Sequence, residues 1–271
     1  MKDLRGRVAL LTGGSRGIGP CIARALAQHG VHVALAARTA DTLHGVAREL
    51  ATLGIRTVAV AADITDASAR AALVAQVEAD LGPIDILVHN AGVEEVVRFA
   101  DQAPENISRM IDTNLTAPFL LSRLVLPRMI QRRSGHIVSI SSVQGKQGMG
   151  YTAAYSATKA ALIEWTGALR DELQGSGVSA SVVCPGLVSR VGMWASYGKR
   201  PPTLARTSSP EQVAAAVVRA VRHDRHEQIV NPLPMWPVLM LKVLSPSLAH
   251  GLMKRFGFLE FARRLADEQR T

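Results

Sequence analysis

Seven short apolar runs, each separated from the next by a segment long enough for a helix, constrain this chain more than any other feature. They are Val8 to Thr12, Val31 to Ala36, Thr57 to Ala61, Ile84 to His89, His136 to Ser141, Val178 to Cys184 and Gln228 to Asn231. Most are continuous and rich in β-branched residues, as strands buried on both faces of a parallel sheet are. The intervening patterns predict helices over Gly17 to His29, Ala40 to Leu53, Ala67 to Leu81, Asn106 to Arg132, Thr152 to Gln174 and Pro210 to Arg222. Strand and helix alternating in this way predict an α/β fold, a doubly wound parallel sheet covered on both faces. Leu187 to Ser209 lacks strong periodicity and holds Gly192, Gly198, Pro201 and Pro202, so it reads as a long loop or short helices near a site. With 271 residues, 48% of them hydrophobic and only 4% aromatic, the chain can bury an Ala/Val/Leu-rich core as one domain. That domain is expected over residues 1–231, with an apolar and basic helical extension over 232–271.

Composition narrows the function. The run Val8-Ala9-Leu10-Leu11 follows Lys2, Arg5 and Arg7 but stops at Thr12-Gly13-Gly14, too short for the apolar region of a signal peptide. Cys21 and Cys184 are too few for a disulfide framework, and no Cys/His cluster has ligand spacing, so a reducing cytoplasm and no metal are expected. The net charge of +9 fits either solubility or attraction to an anionic partner. Nucleic acid is not an expected partner, because no basic stretch is interleaved with aromatics.

Two constellations carry chemistry. Thr12-Gly13-Gly14-Ser15-Arg16-Gly17-Ile18-Gly19 directly follows the first strand and opens a helix. Small residues there let the backbone approach a pyrophosphate, and the helix N-terminus faces its charge. Tyr155 and Lys159 stand one helical turn apart, so a phenol and an ammonium share a face, with Ser142 upstream. A lysine charge beside a tyrosine lowers the phenol pKa from about 10, which makes the pair an acid/base device for a carbonyl or alcohol. Ser141 is a rival to Ser142, but adjacent strand-end residues point to opposite sides. Tyr151 is a rival phenol without a lysine four residues on.

These residues resemble the short-chain dehydrogenase/reductase family, a Rossmann-like fold. Gly13, Ser15, Gly17, Ile18 and Gly19 look like its cofactor loop, and Asn90-Ala91-Gly92 like its structural Asn-Ala-Gly segment. Asp63, with Ile64 beside it, sits where members contact adenine, and Pro185-Gly186 with Val188 matches the segment lining the nicotinamide pocket. Asn114, Ser142, Tyr155 and Lys159 match the catalytic tetrad in order and spacing. The resemblance implies hydride transfer between nicotinamide and a carbonyl carbon: Tyr155 donates the proton, Ser142 holds the oxygen, Lys159 tunes Tyr155 and bonds the nicotinamide ribose, and Asn114 holds a water. It also suggests a homodimer or homotetramer through the helices holding Asn114 and Tyr155.

Three positions depart from the family pattern. His89 replaces the usual asparagine before Asn90 and is expected to be a satisfied strand-end residue. Ser189 and Arg190 stand near the place of a threonine that bonds the nicotinamide amide, and the glycine-rich ending of many members is absent. The second strand ends Ala36-Ala37-Arg38 rather than in an acid, and Arg16 resembles the second basic residue of NADP-using members, so NADP(H) is expected over NAD(H). Leu248, Leu252, Phe256 and Leu259 fall at helical spacing, with His250, Lys254, Arg263 and Arg264 adding positive charge elsewhere. Such an element packs on the core or a second subunit, covers a substrate cleft, or lies on a membrane. The sequence therefore predicts an NADP(H)-dependent carbonyl reductase or alcohol dehydrogenase acting on a lipophilic substrate, with a ketoacyl-carrier reductase or a non-catalytic NADP(H)-sensing regulator as alternatives.

Overall fold

In the computed structural model, residues 1–198 and 206–268 are described. Val8–Thr12 (β1) is buried along its whole length because it pairs in parallel on both sides, with His32–Ala37 (β2) and Ile86–His89 (β4). Thr57–Ala61 (β3) lies outside β2, while Gly135–Ile140 (β5), Val178–Pro185 (β6) and Glu227–Val230 (β7) extend the other half. The order is β3-β2-β1-β4-β5-β6-β7, so the winding reverses between β1 and β4. Ligands of such sheets bind beyond the carboxyl ends of the strands at that point.

Strand alternation divides the core into two layers. Ala9 and Leu11 of β1 face Gly19–Ala27 (α1), Ala40–Ala51 (α2) and Pro210–His223 (α9), meeting Ile22, Leu26, Leu43 and Val217. Val8 and Leu10 face Ala67–Asp80 (α3), Ala117–Gln131 (α5) and Ala153–Glu172 (α7), meeting Leu73, Leu121 and Leu169. Each buried aliphatic side chain contributes about 1.5–3 kcal/mol, so both faces are committed to helices and only the strand ends remain for a site. The seven expected strands all form, with boundaries moved by one or two residues.

The helix expected over Asn106 to Arg132 is not regular. It runs as Pro104–Ile111 (α4), a π-helical segment Asp112–Thr116, and then α5. Pro118 has no N–H to give the Asn114 carbonyl, and the Ala117 N–H reaches back to the Asp112 carbonyl instead. The widened turn carries Asn114, whose side chain is buried. Short helices Val143–Lys146 (α6) and Gly192–Ser196 (α8) follow β5 and β6. Within Leu187 to Ser209, Val188 bridges to Ser208, while Pro201 and Pro202 lie outside the described residues.

The extension folds as Trp236–Leu244 (α10), Pro246–Arg255 (α11) and Phe258–Glu268 (α12). Gly257, at φ +78°, ends the run expected from Leu248 to Leu259. Those four residues therefore do not share one inward face, and Ala249, Ala262, Leu265 and Ala266 are buried instead. No helix among the described residues is long and apolar enough to cross a membrane.

His89 and His136 lie buried in the sheet, their Nε2 atoms 2.7 Å and 2.8 Å from the Ser122 and Ser181 hydroxyls. His89 is thus the satisfied strand-end residue expected. Burial holds both imidazoles neutral, with pKa values lowered from 6.5 to about 3. Below pH 6.5 the unfolded chain gains protons that the folded chain refuses, so stability is lost as pH falls toward 3. Each histidine contributes about 1.4 kcal/mol of loss per pH unit in that window. Thermal midpoints measured across it should fall steeply for the wild type and less steeply for His89→Asn; equal slopes would show that His89 carries no such linkage.

Candidate active site and dinucleotide cradle

The cradle begins where β1 ends. Gly13 has φ +68°, and a Cβ there would lie 2.8 Å from the Ala91 Cα. A Cβ on Gly19 would lie 2.1 Å from the Gly13 carbonyl oxygen, so only glycine permits this turn to close. Gly17, at φ +66°, completes it beside Ser15 and Ile18. α1 then starts with Pro20 in its first turn, no side-chain cap and no acid, which leaves its N-terminal N–H groups open to an anion.

Asn90 fastens the loop to β4. Its Nδ2 donates to the Thr12 and Gly13 carbonyls at 3.0 Å each, and its Oδ1 is buried without a partner. The Thr12 hydroxyl oxygen accepts from the backbone N–H groups of Asn90 and Ala91. Arg16 and Arg38 are exposed at the rim. Asp63, also exposed, accepts from the Thr65 N–H and hydroxyl, and these bonds hold its carboxyl below the usual range, with Arg38 adding to the effect. The Ile64 carbonyl accepts from buried Arg70. On the other side of the sheet end, a Cβ on Gly186, next to Pro185, would fall 2.3 Å from Asn231 Oδ1. The Ser189 hydroxyl turns to the Ser208 carbonyl and Arg190 pairs with Glu211, so both are engaged away from the cleft floor.

The four residues of the expected tetrad converge. Asn114 Oδ1 accepts from the Val93 N–H at 2.8 Å, while its Nδ2 donates to the Val93 carbonyl and the Thr158 hydroxyl. Lys159 Nζ donates to the Ile140 carbonyl at 2.9 Å and lies 5.7 Å from the centre of the Tyr155 ring. The Ser142 hydroxyl caps α6, accepting from the Gln144 N–H, and lies close enough to the Tyr155 phenol to lower its pKa. Ser141 points the opposite way, its hydroxyl spent on the Lys159 carbonyl. Tyr155 and Lys159 are both buried.

Burial sets the electrostatics, and here the structure differs from the sequence expectation. The Tyr155 phenol is pushed up, first by desolvation and then by the Glu94 charge, with only the Ser142 hydroxyl opposing. Lys159 is lowered to about 8 by its own burial, which Glu94 opposes. The expected depression of Tyr155 by Lys159 is absent because the ammonium is directed into the Ile140 carbonyl. Burial also pushes the Cys184 thiol up to about 12, as suits a small core residue.

Sequence reasoning missed several groups around this cluster. Glu94 reaches it from the loop after β4, its carboxyl pushed up to about 7 by burial. Gln144 Nε2 donates to Glu94, and Gln144 Oε1 accepts from the Thr152 hydroxyl at 2.7 Å. An apolar cluster lies nearby: Trp194 and Tyr197 of the α8 segment pack with Tyr151, Val96 and Phe261 of α12, with Trp194 and Phe261 centred 5.1 Å apart, and Tyr197 acts electrostatically on Tyr155. A Cβ on Gly150 would meet Leu259 at 2.7 Å, so α12 closes directly over the loop before Tyr155. The only sequence signal for Glu94 was an acid directly following the Asn-Ala-Gly-Val turn.

The family model described as short chain dehydrogenase matches residues 7–201. This chain belongs to the short-chain dehydrogenase/reductase family. Ketoacyl reductase HetN of Nostoc sp. is 41% identical over 99% of this chain and 96% of its own length. Dehydrogenase/reductase SDR family member 7B of Bos taurus is 31% identical over 92% of this chain and 81% of its own. A metagenomic short-chain oxidoreductase solved in complex with NADP superposes with a TM-score of 0.73 at 34% identity, covering 86% of this chain and 100% of that one. As a short-chain dehydrogenase/reductase, this chain is an NAD(P)-dependent oxidoreductase acting on CH–OH or C=O groups.

In this dehydrogenase/reductase the cradle fits an anionic dinucleotide, through the closed glycine turn, the uncapped α1 and the orphaned Asn90 Oδ1. Gly19→Ala drives a methyl into backbone that cannot yield, at a cost of about 1–3 kcal/mol. NADPH affinity, measured by fluorescence titration, should fall on the order of tenfold or more while the circular dichroism spectrum holds. Unchanged affinity would place the dinucleotide elsewhere.

Proposed function

We propose that the chain is an NADP(H)-dependent reductase of lipophilic carbonyl compounds. The observation that carries this reading is the meeting of Tyr155, Ser142 and Lys159 beyond the carboxyl end of β5, with an aromatic cluster nearby. Bound nicotinamide would supply the hydride. The residues named for the cradle would hold the dinucleotide, with Pro185, Gly186 and Val188 flanking the nicotinamide end. Arg16 and Arg38 support NADP(H), since two exposed guanidinium groups favour a 2′-phosphate and no acid ends β2.

Ser142 holds the substrate oxygen and Tyr155 delivers a proton to it. Burial keeps the Tyr155 phenol protonated, so it carries the proton to be delivered. Lys159, anchored on the Ile140 carbonyl beside the Tyr155 ring, would bond the nicotinamide ribose, and Asn114 fixes the Val93 loop against α7. Tyr155→Phe keeps the ring and removes only the hydroxyl, so turnover should fall about 10²–10⁴-fold with NADPH affinity little changed. Near-normal turnover would remove Tyr155 from the reaction.

A second reading, a ketoacyl thioester as substrate, is supported by the likeness to the Nostoc ketoacyl reductase and by a net charge of +9 suited to an acidic carrier. The glycine-rich ending of many family members is missing here, and a carbonyl reductase remains the preferred reading.

Two surfaces support further partners. Leu120 and Leu124 are exposed on α5, a face suited to a second copy in a homodimer or homotetramer. Trp236, Met240, Val243, Leu244 and Leu248 form an outward stripe along α10 and α11, and Val243 and Leu244 keep 78% and 79% of their surface open. No acid occurs between Glu227 and Glu260, while Lys242, Lys254 and Arg255 lie in that span. Apolar area with unopposed positive charge suits an anionic bilayer surface, where a cytoplasmic enzyme would meet lipophilic substrates. The full-length protein should float with anionic vesicles and lose that property in Leu244→Glu; flotation unchanged by the substitution would exclude the stripe as the contact.

A further inference from the structure

Glu94 is a carboxylate whose hydrogen-bonding capacity the protein leaves largely unused. Its one hydrogen bond among the described residues is the long one from Gln144 Nε2, at 3.5 Å to Oε1. The neighbouring acid shows that the same loop can satisfy a carboxylate fully. Glu95 accepts from Gln102 and Asn106 at 2.9 Å each, one bond to each oxygen. A carboxylate offers about four acceptor sites, so Glu94 keeps most of its capacity, and the residue is half-buried rather than fully enclosed.

Its position is fixed rather than incidental. The residue before it, Val93, is held at both its N–H and its carbonyl by Asn114. Gln144 is held in turn by the Thr152 hydroxyl, so its amide NH₂ is directed at Glu94, while its backbone N–H bonds Ser142. One residue therefore bridges the seat of the substrate oxygen at Ser142 and the unused acceptor at Glu94. Half-burying an acid that accepts only one long hydrogen bond carries a desolvation cost, and this chain does so within electrostatic reach of Tyr155 and Lys159.

We propose that Glu94, positioned by Gln144, is a substrate-binding residue that accepts a hydrogen bond from a hydroxyl adjacent to the reacting carbonyl, so that the enzyme selects hydroxy-ketones over the corresponding plain ketones. The inference rests on the carbonyl-reductase reading and names its substrate class. A neutral hydroxyl fits better than an ammonium, because Lys159 already places a positive charge within electrostatic reach of Glu94. The apolar cluster of Trp194, Tyr197 and Phe261 would take the rest of the molecule. Sites that hydrogen-bond a substrate hydroxyl discriminate strongly against analogues lacking it, since the site's polar group is then left unpaired.

The test measures binding, so it does not depend on turnover. A long-chain 1-hydroxy-2-ketone and the 2-ketone of the same length are titrated calorimetrically into the enzyme saturated with NADP⁺. At about pH 8.5, above the value of about 7 to which the Glu94 carboxyl is pushed, the wild type should bind the hydroxy-ketone on the order of tenfold or more tightly, as a hydrogen bond to a charged acceptor implies. Glu94→Leu should bring that ratio to about one, and Glu94→Gln, which keeps an acceptor oxygen and the side-chain shape, should retain part of it. NADPH affinity measured on the same samples reports folding, and the Gln variant decides if the Leu variant is not folded. Equal affinities in the wild type, or an unchanged ratio in the variants, would overturn the proposal. NADPH oxidation with the same ketones is scored separately: its absence from a protein that binds NADPH counts against carbonyl reduction, whereas turnover of both ketones without preference counts against Glu94 alone.

Discussion

Everything in the site depends on how the end of β1 is tied to the end of β4. Asn90 spans the gap with two hydrogen bonds to the Thr12 and Gly13 carbonyls, and Thr12 returns its hydroxyl to the Asn90 and Ala91 N–H groups. This is the position where the sheet reverses its winding, so no strand lies between the two loops to hold them apart. The contact closes the glycine turn on one side. On the other it launches Gly92, Val93 and Glu94 toward α7. A Cβ on Gly92 would lie 3.3 Å from Asn114 Oδ1 and 3.5 Å from Lys159 Nζ, which shows how closely that segment passes these two side chains.

The same logic explains the π-helical segment. A regular helix would continue its own ladder through residue 118, but proline cannot supply that bond. The irregular turn carries Asn114 to where its amide can grip Val93 and Thr158 together. Lys159 is anchored from the sheet side by the Ile140 carbonyl. Tyr155 is therefore fixed by its neighbours on three elements, and its proton affinity is set mainly by the water it has lost.

Much of this was legible in the residues. The seven strands and their parallel pairing follow from periodicity, because a continuous Val/Ile run can only be buried on both faces, and a turn of helix aligns positions 155 and 159; that Ser142 and Asn114 join them was implied by the resemblance to the family. The dinucleotide cradle was legible for a similar reason: glycines at 13, 17 and 19 leave few alternatives to close backbone approach. Three features were not. The break at Gly257 turned the tail's inward face from Leu248 and Phe256 to Ala262 and Leu265, since one left-handed residue redirects a helix whose pattern otherwise continues. The upward shift of Tyr155 arises from tertiary burial, which local spacing does not encode. Glu94 was invisible because an acid in a loop signals nothing until the elements around it are assembled.

The central claim is that this arrangement moves a hydride from NADPH to a carbonyl carbon. The most direct measurement uses NADPH deuterated at the transferred position, incubated with the enzyme and a long-chain hydroxy-ketone, with the product examined by deuterium NMR. The account predicts deuterium on the new carbinol carbon at a rate far above that with equally labelled NADH. Binding of NADPH without deuterium transfer to any carbonyl compound would contradict it and leave a protein that senses the nucleotide without using it.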